Sequence, residues 1–356
     1  MARKLRTSQR LLRLSLGLTV AGWVILASHH VYAACNELSV LTWEGYADDI
    51  WIKPFEQKAG VSVARTYVGS NDEYMAKLAA GGGGYDVVVI VSSLSKRAID
   101  SGFVEPLDLS KIPNFQQLFE QFKTVDFDRK GDEVYGVPTF WGTSPVTVNA
   151  EVIPEGNDFG ILFDPKYKGR IGMWDDVSTI ADVANYMGFK NIWTLSDEEL
   201  EQVKQKMIEQ KPLVRKYWSQ PGEGIELFAS GEIVASNSYN YITQALITQG
   251  HKAREFVHQP PIGWVDSHFI VRGTDCREVA HQYIDHLISA ESQARIGETT
   301  GYSVSNPQSK ALMNKETWDR LYMDEGPELL KNIRFWEDIP RRARYLEVLN
   351  EIKAAP

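Results

Sequence analysis

Cysteine, excess positive charge and long apolar runs are all scarce in this 356-residue chain, and each scarcity excludes a class of protein. Two cysteines are too few for a disulfide-rich scaffold or a four-cysteine zinc site. A net charge of −9 disfavours nucleic acid as a partner. After residue 33, no run reaches the roughly 18 apolar residues that a membrane-spanning helix needs. The composition of the whole chain, 43% hydrophobic and 24% charged, is typical of a globular protein.

Motifs for catalysis and for metal binding are also absent. The sequence contains neither G-x-S-x-G nor H-E-x-x-H. The four-glycine run at 81–84 lacks the Lys-Ser/Thr pair that completes a phosphate-binding loop. The segment at 126–131 begins like a calcium loop, but Lys130 stands where an oxygen ligand is needed. Because no nucleophile, base and orienting group can be assembled, we expect a protein that is not an enzyme and has no metal or cofactor.

Residues 1–33 have the pattern of a signal peptide. Five cations and no acid lie between Arg3 and Arg13, and a largely apolar segment follows at 14–27. Val31-Tyr32-Ala33 then places tolerated residues at the −3 and −1 positions, which predicts cleavage after Ala33 and export to the periplasm. Two alternatives are a lipid on Cys35, which Tyr32 disfavours, and a retained membrane anchor, which the short segment disfavours.

The chain after the signal peptide alternates between strand and helix patterns. Strands are predicted at 38–43, 61–67 and 85–91, with helices between them, and the last of these strands is almost wholly apolar. Such a strand is typical of a parallel sheet that is covered on both faces. A second unit with strands at 170–174, 233–236 and 268–271 begins near Gly142. The sequence therefore predicts an α/β fold whose ligand site lies beyond the carboxyl ends of the strands.

Aromatic residues recur beside carboxylates at the predicted strand ends. Aromatic rings contact the methylene groups of an alkylammonium ion and attract its charge, and carboxylates accept its N–H groups. Any one of these tryptophans, taken singly, is more simply explained as a core residue, but their recurrence favours a site for an organic cation. The groups are Trp43 and Tyr46 with Glu44, Trp174 with Asp175 and Asp176, Trp264 with Asp266, and Trp336 with Glu337.

Seven segments, spread from about residue 38 to residue 353, resemble the periplasmic spermidine/putrescine-binding proteins, the polyamine branch of the extracellular solute-binding proteins. They are L-T-W-E-G-Y at 41–46, S-N-D-E-Y-M-A-K-L at 70–78, Y-D-V-V-V at 85–89, V-P-T-F-W-G at 137–142, P-K-Y-K-G at 165–169, G-W-V-D-S at 263–267 and G-Y-S-V-S-N at 301–306. The resemblance implies the two-lobed α/β fold of the type II periplasmic binding proteins, with the ligand cleft between the lobes. It divides the chain into lobe 1, at 34–141 and about 265–311, and lobe 2, at 142–264 and about 312–356.

The same resemblance implies a set of ligand-binding residues. Trp43, Tyr46, Trp264 and Tyr302 match its aromatic walls, Tyr239 replaces a tryptophan, and Asp176 and Asp266 match its ammonium-binding carboxylates. Three positions depart from the family: Ser93 replaces a tyrosine, Thr179 a glutamate and Glu337 a glutamine. Three carboxylates, Asp176, Asp266 and Glu337, would then match the three ammonium groups of a linear triamine such as spermidine or norspermidine.

These expectations lead to a monomeric periplasmic polyamine-binding protein that presents its ligand-closed form to an inner-membrane partner. The resemblance includes a norspermidine sensor in biofilm-type signalling, whose partner is a membrane receptor of the GGDEF/EAL type. The changes at Ser93 and Thr179 favour this interpretation over a general importer. The alternative is the substrate-binding component of a polyamine ABC transporter, whose partner is the permease. A periplasmic amide hydrolase is a remote third possibility, since no catalytic set is visible.

The resemblance also bears on the two cysteines. It places Cys276 in the same lobe as Cys35, and export takes both into an oxidising compartment. We predict a disulfide between them, with two buried free thiols as the alternative.

Overall fold

The structure, a computed structural model, describes residues 35–69, 71–80, 84–156, 158–257, 259–321 and 323–356. The predicted signal peptide and most of the glycine run lie outside the described residues. The chain from Cys35 to Pro356 forms one compact unit. Within its described part, no helix has the length and apolar character that crossing a membrane requires.

Strands and helices alternate along the described residues, as predicted for an α/β fold. The strands are β1 Glu37–Trp43, β2 Ser62–Val68, β3 Val87–Val91, β4 Val104–Glu105, β5 Arg129–Lys130, β6 Glu133–Val134, β7 Gly136–Thr143, β8 Val146–Asn149, β9 Ile171–Trp174, β10 Val214–Trp218, β11 Ala235–Asn237, β12 Ala253–Phe256, β13 Ile262–Val271, β14 Ser303–Val304 and β15 Arg334–Phe335. The helices are α1 Asp49–Ala59, α2 Asn71–Ala79, α3 Ser92–Asp100, α4 Glu120–Lys123, α5 Ser178–Tyr186, α6 Asp197–Gln210, α7 Pro221–Ala229, α8 Asn240–Thr248, α9 Arg277–Leu287, α10 Ala290–Thr300, α11 Lys315–Arg320, α12 Gly326–Asn332 and α13 Arg342–Ala354.

Two mixed sheets organise these elements and define two lobes. The sheet of the first lobe has the order β14-β7-β13-β3-β1-β2, with β4 and β15 paired to β13. The sheet of the second lobe has the order β10-β9-β11-β8-β12. Each sheet contains three adjacent parallel strands, β1 with β2 and β3 in the first, and β9 with β10 and β11 in the second. Their carboxyl ends therefore meet at one edge of each sheet, where ligands of such folds bind.

The chain passes between the two sheets at three places. The crossings are the turn from β7 to β8, the segment from β12 to β13, and the segment after β15, which leads to α13 packed against α6. A chain that crosses more than once was expected because no linker separates the two predicted units. The exact lobe boundaries stated above remain a prediction.

Local sequence accounts for the start and end of the first helix. The Asp48 side chain caps α1 by accepting the N–H of Ile50, and Gly60 ends it with a φ of 70°, a left-handed conformation that favours glycine. Trp51 and Phe55 lie on its buried face, as their helical spacing predicts. The helix predicted between the strands at 38–43 and 61–67 is thus confirmed.

The strand predicted at 268–271 was too short. β13 begins at Ile262, and every one of its residues is buried between β3 and β7. The polar residues of β13 interrupt the apolar pattern that would indicate a buried strand. Buried polar groups need hydrogen-bond partners, and a sequence does not show where those partners lie. The Ser267 hydroxyl donates to Asp128, and His268 Nδ1 lies 2.9 Å from the Thr139 hydroxyl.

The predicted disulfide is present. Cys35 precedes β1 and Cys276 precedes α9, and their Cα atoms lie 5.1 Å apart. The bond ties the start of the described chain to a helix 241 residues further on.

Gly263 is required where β13 approaches β7. A Cβ atom there would lie 2.4 Å from the Gly142 carbonyl oxygen and 2.2 Å from Ile333 Cδ1. We expect Gly263→Ala to destabilise the fold by about 1–3 kcal/mol, since overpacking forces backbone to shift. Urea unfolding measures this, with Gly222→Ala as the control, because Gly222 lies in α7 with no atom within 4 Å of an added Cβ. Equal losses in the two variants would contradict the explanation.

Candidate functional site

A cavity of about 200 Å³ lies where the carboxyl ends of strands from both sheets meet. Trp43 ends β1 and Val91 ends β3 on the first-lobe side, and Trp174 ends β9 on the second-lobe side. The site is thus built at the position that the strand order predicts.

Seven of the ten residues predicted to bind ligand line this cavity. They are Trp43, Tyr46, Asp176, Tyr239, Trp264, Asp266 and Tyr302. The aromatic members pack edge to face, with 4.7 Å between the ring centres of Trp264 and Tyr302 and 5.7 Å between those of Tyr46 and Tyr302. Such packing holds the rings as a rigid apolar wall.

Further aromatic residues line the cavity although the resemblance did not include them in the set of ligand-binding residues. Trp174 and Trp336 are stacked with their ring centres 5.6 Å apart, and Tyr239 meets Trp174 edge to face at 4.7 Å. Tyr241 contributes another ring. The signal for the two tryptophans was in the sequence, since both stand directly before carboxylates, but the match to the family did not include them.

Asp266 is the buried carboxylate of the cavity. Its Oδ2 accepts the Tyr46 hydroxyl at 2.5 Å, whereas its Oδ1 has no hydrogen-bond partner among the described residues. Burial raises the pKa of Asp266 to about 7, although the Tyr46 hydrogen bond acts in the opposite direction. A buried carboxylate oxygen without a partner is costly, so this position favours a ligand that supplies a cationic N–H donor.

The two acids after β9 have different surroundings. Both oxygens of Asp175 contact Lys353 Nζ, at 2.8 and 3.0 Å. Asp176 Oδ1 accepts the backbone N–H and the hydroxyl of Ser178, and its Oδ2 lies 3.5 Å from Arg342 Nη2. Only Asp176 accepts an N–H of the first turn of α5, because Lys353 holds Asp175.

Thr179, Ser93 and Glu337 do not line this cavity, which is called the main cavity below. Thr179 is fully buried behind the wall, where its hydroxyl donates to the Trp174 carbonyl and accepts the Asn237 amide. Ser93 and Glu337 line a second cavity of about 20 Å³, the narrow cavity, which also has Trp336 in its wall.

The predicted match of three carboxylates to three ammonium groups is therefore not formed in one space. Glu337 is exposed and does not line the cavity that contains Asp266, whereas Trp336 lines both cavities. Asp176 also lines both cavities. Within the described part of the chain, no group of three or more His, Cys, Asp or Glu side chains is placed to hold a metal ion.

Two α/β lobes that meet at an aromatic, acidic cavity define a binding protein for a small organic cation. Comparison with known proteins is consistent with this class. The family model described as bacterial extracellular solute-binding protein matches residues 51–321, so the chain belongs to that family. The two-lobed type II fold is confirmed, as is the expectation that the chain is not an enzyme, because the family consists of binding proteins.

The similar proteins confirm the family resemblance. The chain is 25% identical over 333 residues to spermidine/putrescine-binding periplasmic protein 1 of Haemophilus influenzae, covering 91% of each chain. It is 24% identical over 327 residues to the spermidine/putrescine-binding periplasmic protein of Escherichia coli, covering 90% of this chain and 92% of that protein. A solved structure named a putative spermidine/putrescine ABC transporter from Listeria monocytogenes has 25% identity and a TM-score of 0.80, covering 90% of this chain and all of that one.

Proposed function

We propose that this protein binds a polyamine in the periplasm and delivers it to an ABC permease, as the monomeric substrate-binding component of a transporter. The observation that carries the proposal is Asp266, whose Oδ1 lacks a hydrogen-bond partner among the described residues and lies in a cavity walled by aromatic rings. The names of the similar proteins from Haemophilus influenzae and Escherichia coli support both the polyamine and the periplasm.

The geometry suits a linear alkyl chain with charged ends. The Trp43, Trp264 and Tyr302 rings offer apolar contact to methylene groups, with cation–π attraction of roughly 0.5–2 kcal/mol per ring where an ammonium group lies over its face. Asp266 lies on the sheet of the first lobe and Asp176 follows a strand of the second. A ligand that contacts both carboxylates would stabilise the lobes in one relative arrangement, which a membrane partner can recognise.

Four acids line the main cavity, and one of them, Asp175, is held by Lys353. Glu44, Asp176 and Asp266 remain as carboxylates that suit the ammonium groups of a diamine or a triamine. The predicted preference for norspermidine rests on matching the carboxylates of Asp176, Asp266 and Glu337 to three ammonium groups, and it stays a prediction.

Transport is favoured over sensing because the similar structure from Listeria monocytogenes is named an ABC transporter. The sensor hypothesis, with a GGDEF/EAL receptor as partner, stays a prediction. Deleting the gene and measuring uptake of labelled spermidine and putrescine separates the two. Lost uptake supports transport, whereas unchanged uptake with a lost biofilm response to added polyamine contradicts it.

Calorimetry on the chain from residue 34 onward tests ligand class. We expect putrescine or spermidine to bind with a Kd of about 1 μM or tighter, which is about −8 kcal/mol. Glutamate should not bind, because its carboxylates would face Asp176 and Asp266. Trp264→Ala should weaken the binding of every polyamine, since packing on methylene groups does not depend on their spacing. Binding of glutamate with no response to any polyamine would exclude the proposed function.

A further inference from the structure

The two lobes touch beside the main cavity, where α10 packs against α8. Helix α10 contacts β14 of the first-lobe sheet, and α8 contacts β12 of the second-lobe sheet. The approach is close, because a Cβ atom at Gly301, which ends α10, would lie 2.7 Å from Gln244 Cβ on α8. Tyr302, which follows Gly301, and Tyr241, the second residue of α8, both line the cavity. A movement of the lobes at this contact, called the seam below, therefore moves the cavity wall.

The seam contains two opposite charges, one from each lobe. Glu255 lies in β12 of the second-lobe sheet. Arg320 ends α11, which is held to the first lobe because the Ser303 hydroxyl of β14 donates to the carbonyl of Leu321, the residue after the helix. A Cβ atom at Gly301 would lie 3.4 Å from Arg320 Nη1, so the guanidinium group lies where α10 meets α8.

The two charges compensate each other's burial. Glu255 Oε1 accepts the Asn240 amide at 2.6 Å, whereas Glu255 Oε2 and Arg320 Nη1 are buried without a hydrogen-bond partner among the described residues. Burial raises the pKa of Glu255 and lowers the pKa of Arg320, and the charge of each group opposes the change in the other. Removing one of two buried opposite charges leaves the other without this compensation, which is unfavourable.

We propose that Glu255 and Arg320 are positioning residues that hold the lobes in the ligand-binding arrangement by attracting each other across the seam. This inference rests on the proposed polyamine binding. With the lobes apart, water would solvate both groups, and neither would depend on the other for compensation. A protein with only one of the two charges should therefore favour the open arrangement more than the unmodified protein does, and it should release its ligand faster.

Substitutions of the pair test the inference by calorimetry and stopped-flow kinetics with putrescine and spermidine. Arg320→Gln and Glu255→Gln each remove one charge, and we expect each to raise the Kd for both amines by about five- to tenfold, mainly through faster dissociation. The double variant with both substitutions should lose no more than either single variant, because it leaves no buried charge alone. Arg320→Lys, which keeps the charge, should stay within about twofold of the unmodified protein.

Glu316→Gln is the matched control. Glu316 also attracts Arg320, but it lies on α11 itself, so its charge does not join the two lobes. Its replacement should change the Kd by no more than about twofold. A loss equal to that of Glu255→Gln would overturn the inference, because any negative charge near Arg320 would then have the same effect.

The outcomes separate the inference from the proposal on which it rests. If the unmodified protein binds neither amine, the proposed function fails, and urea unfolding of the same variants still tests the pair: non-additive losses of stability support an attraction across the seam, and additive losses overturn it. If the protein binds the amines, unchanged single variants or additive losses in the double variant overturn the role of the pair. Circular dichroism checks folding, and Arg320→Met, which keeps the apolar stem, replaces Arg320→Gln with the same expectation should that variant not fold.

Discussion

Replacing Asp266 with asparagine should lower the affinity for any polyamine by about 2–5 kcal/mol, at least about thirtyfold in Kd. The substitution keeps the shape of the side chain and its contact with the Tyr46 hydroxyl. It removes the charge that a buried ammonium group would need, and an unpaired buried charge is strongly unfavourable. Titration calorimetry with putrescine and spermidine measures the loss.

Asp128→Asn is the matched control for this experiment. Asp128 is buried like Asp266, its pKa is likewise raised to about 7 by burial, and it accepts a hydroxyl, that of Ser267. It does not line the cavity, so its replacement should change ligand affinity by no more than about threefold. If both variants lost affinity equally, the effect would come from the fold and not from a ligand contact.

The dependence of binding on pH should identify Asp266 independently. Because the carboxyl pKa is about 7 in the empty cavity, the group is largely protonated below that pH and ionised above it. An ammonium ligand binds the ionised form, so binding below pH 7 must release a proton. We expect affinity to fall by up to about tenfold per pH unit from pH 7 downward. Asp266→Asn should lose this dependence, whereas a pH profile shared by the unmodified protein and the variant would contradict the assignment.

Much of the site could be predicted because the strand ends that form it carry local signals. Trp43 and Asp176 follow recognisable strands, and the rule that ligands bind at strand ends brings them together without any knowledge of side-chain contacts. The α1 helix was predicted for the same reason, since its cap, its buried face and its terminal Gly60 all lie within thirteen residues.

The sequence does not predict contacts between distant parts of the chain. Lys353 lies 178 residues from Asp175, and nothing in the local sequence indicates that α13 returns to the cavity. Thr179 was assigned to the ligand through the family match, but the Trp174 carbonyl and the Asn237 amide hold it behind the wall. Glu337 was assigned by counting charges, and a count does not reveal that this side chain lines the narrow cavity instead of the main one.

The second large effect concerns stability. Replacing both Cys35 and Cys276 with serine should lower the free energy of unfolding by about 2–5 kcal/mol. The bond links residues 241 positions apart, and a long closed loop restricts the unfolded chain more than a short one. Denaturant unfolding under oxidising conditions, with and without a reducing agent, measures the difference.

Ligand binding should survive this loss. The disulfide lies at the start of β1, whereas Trp43 in the cavity ends that strand, and seven residues of β structure separate the two by about 20 Å. At a temperature well below unfolding, the serine variant should therefore bind polyamine within about threefold of the unmodified protein. Reducing agent should destabilise the unmodified protein and leave the variant unaffected. An unmodified protein equally stable before and after confirmed reduction would show that the Cys35–Cys276 bond does not stabilise the fold.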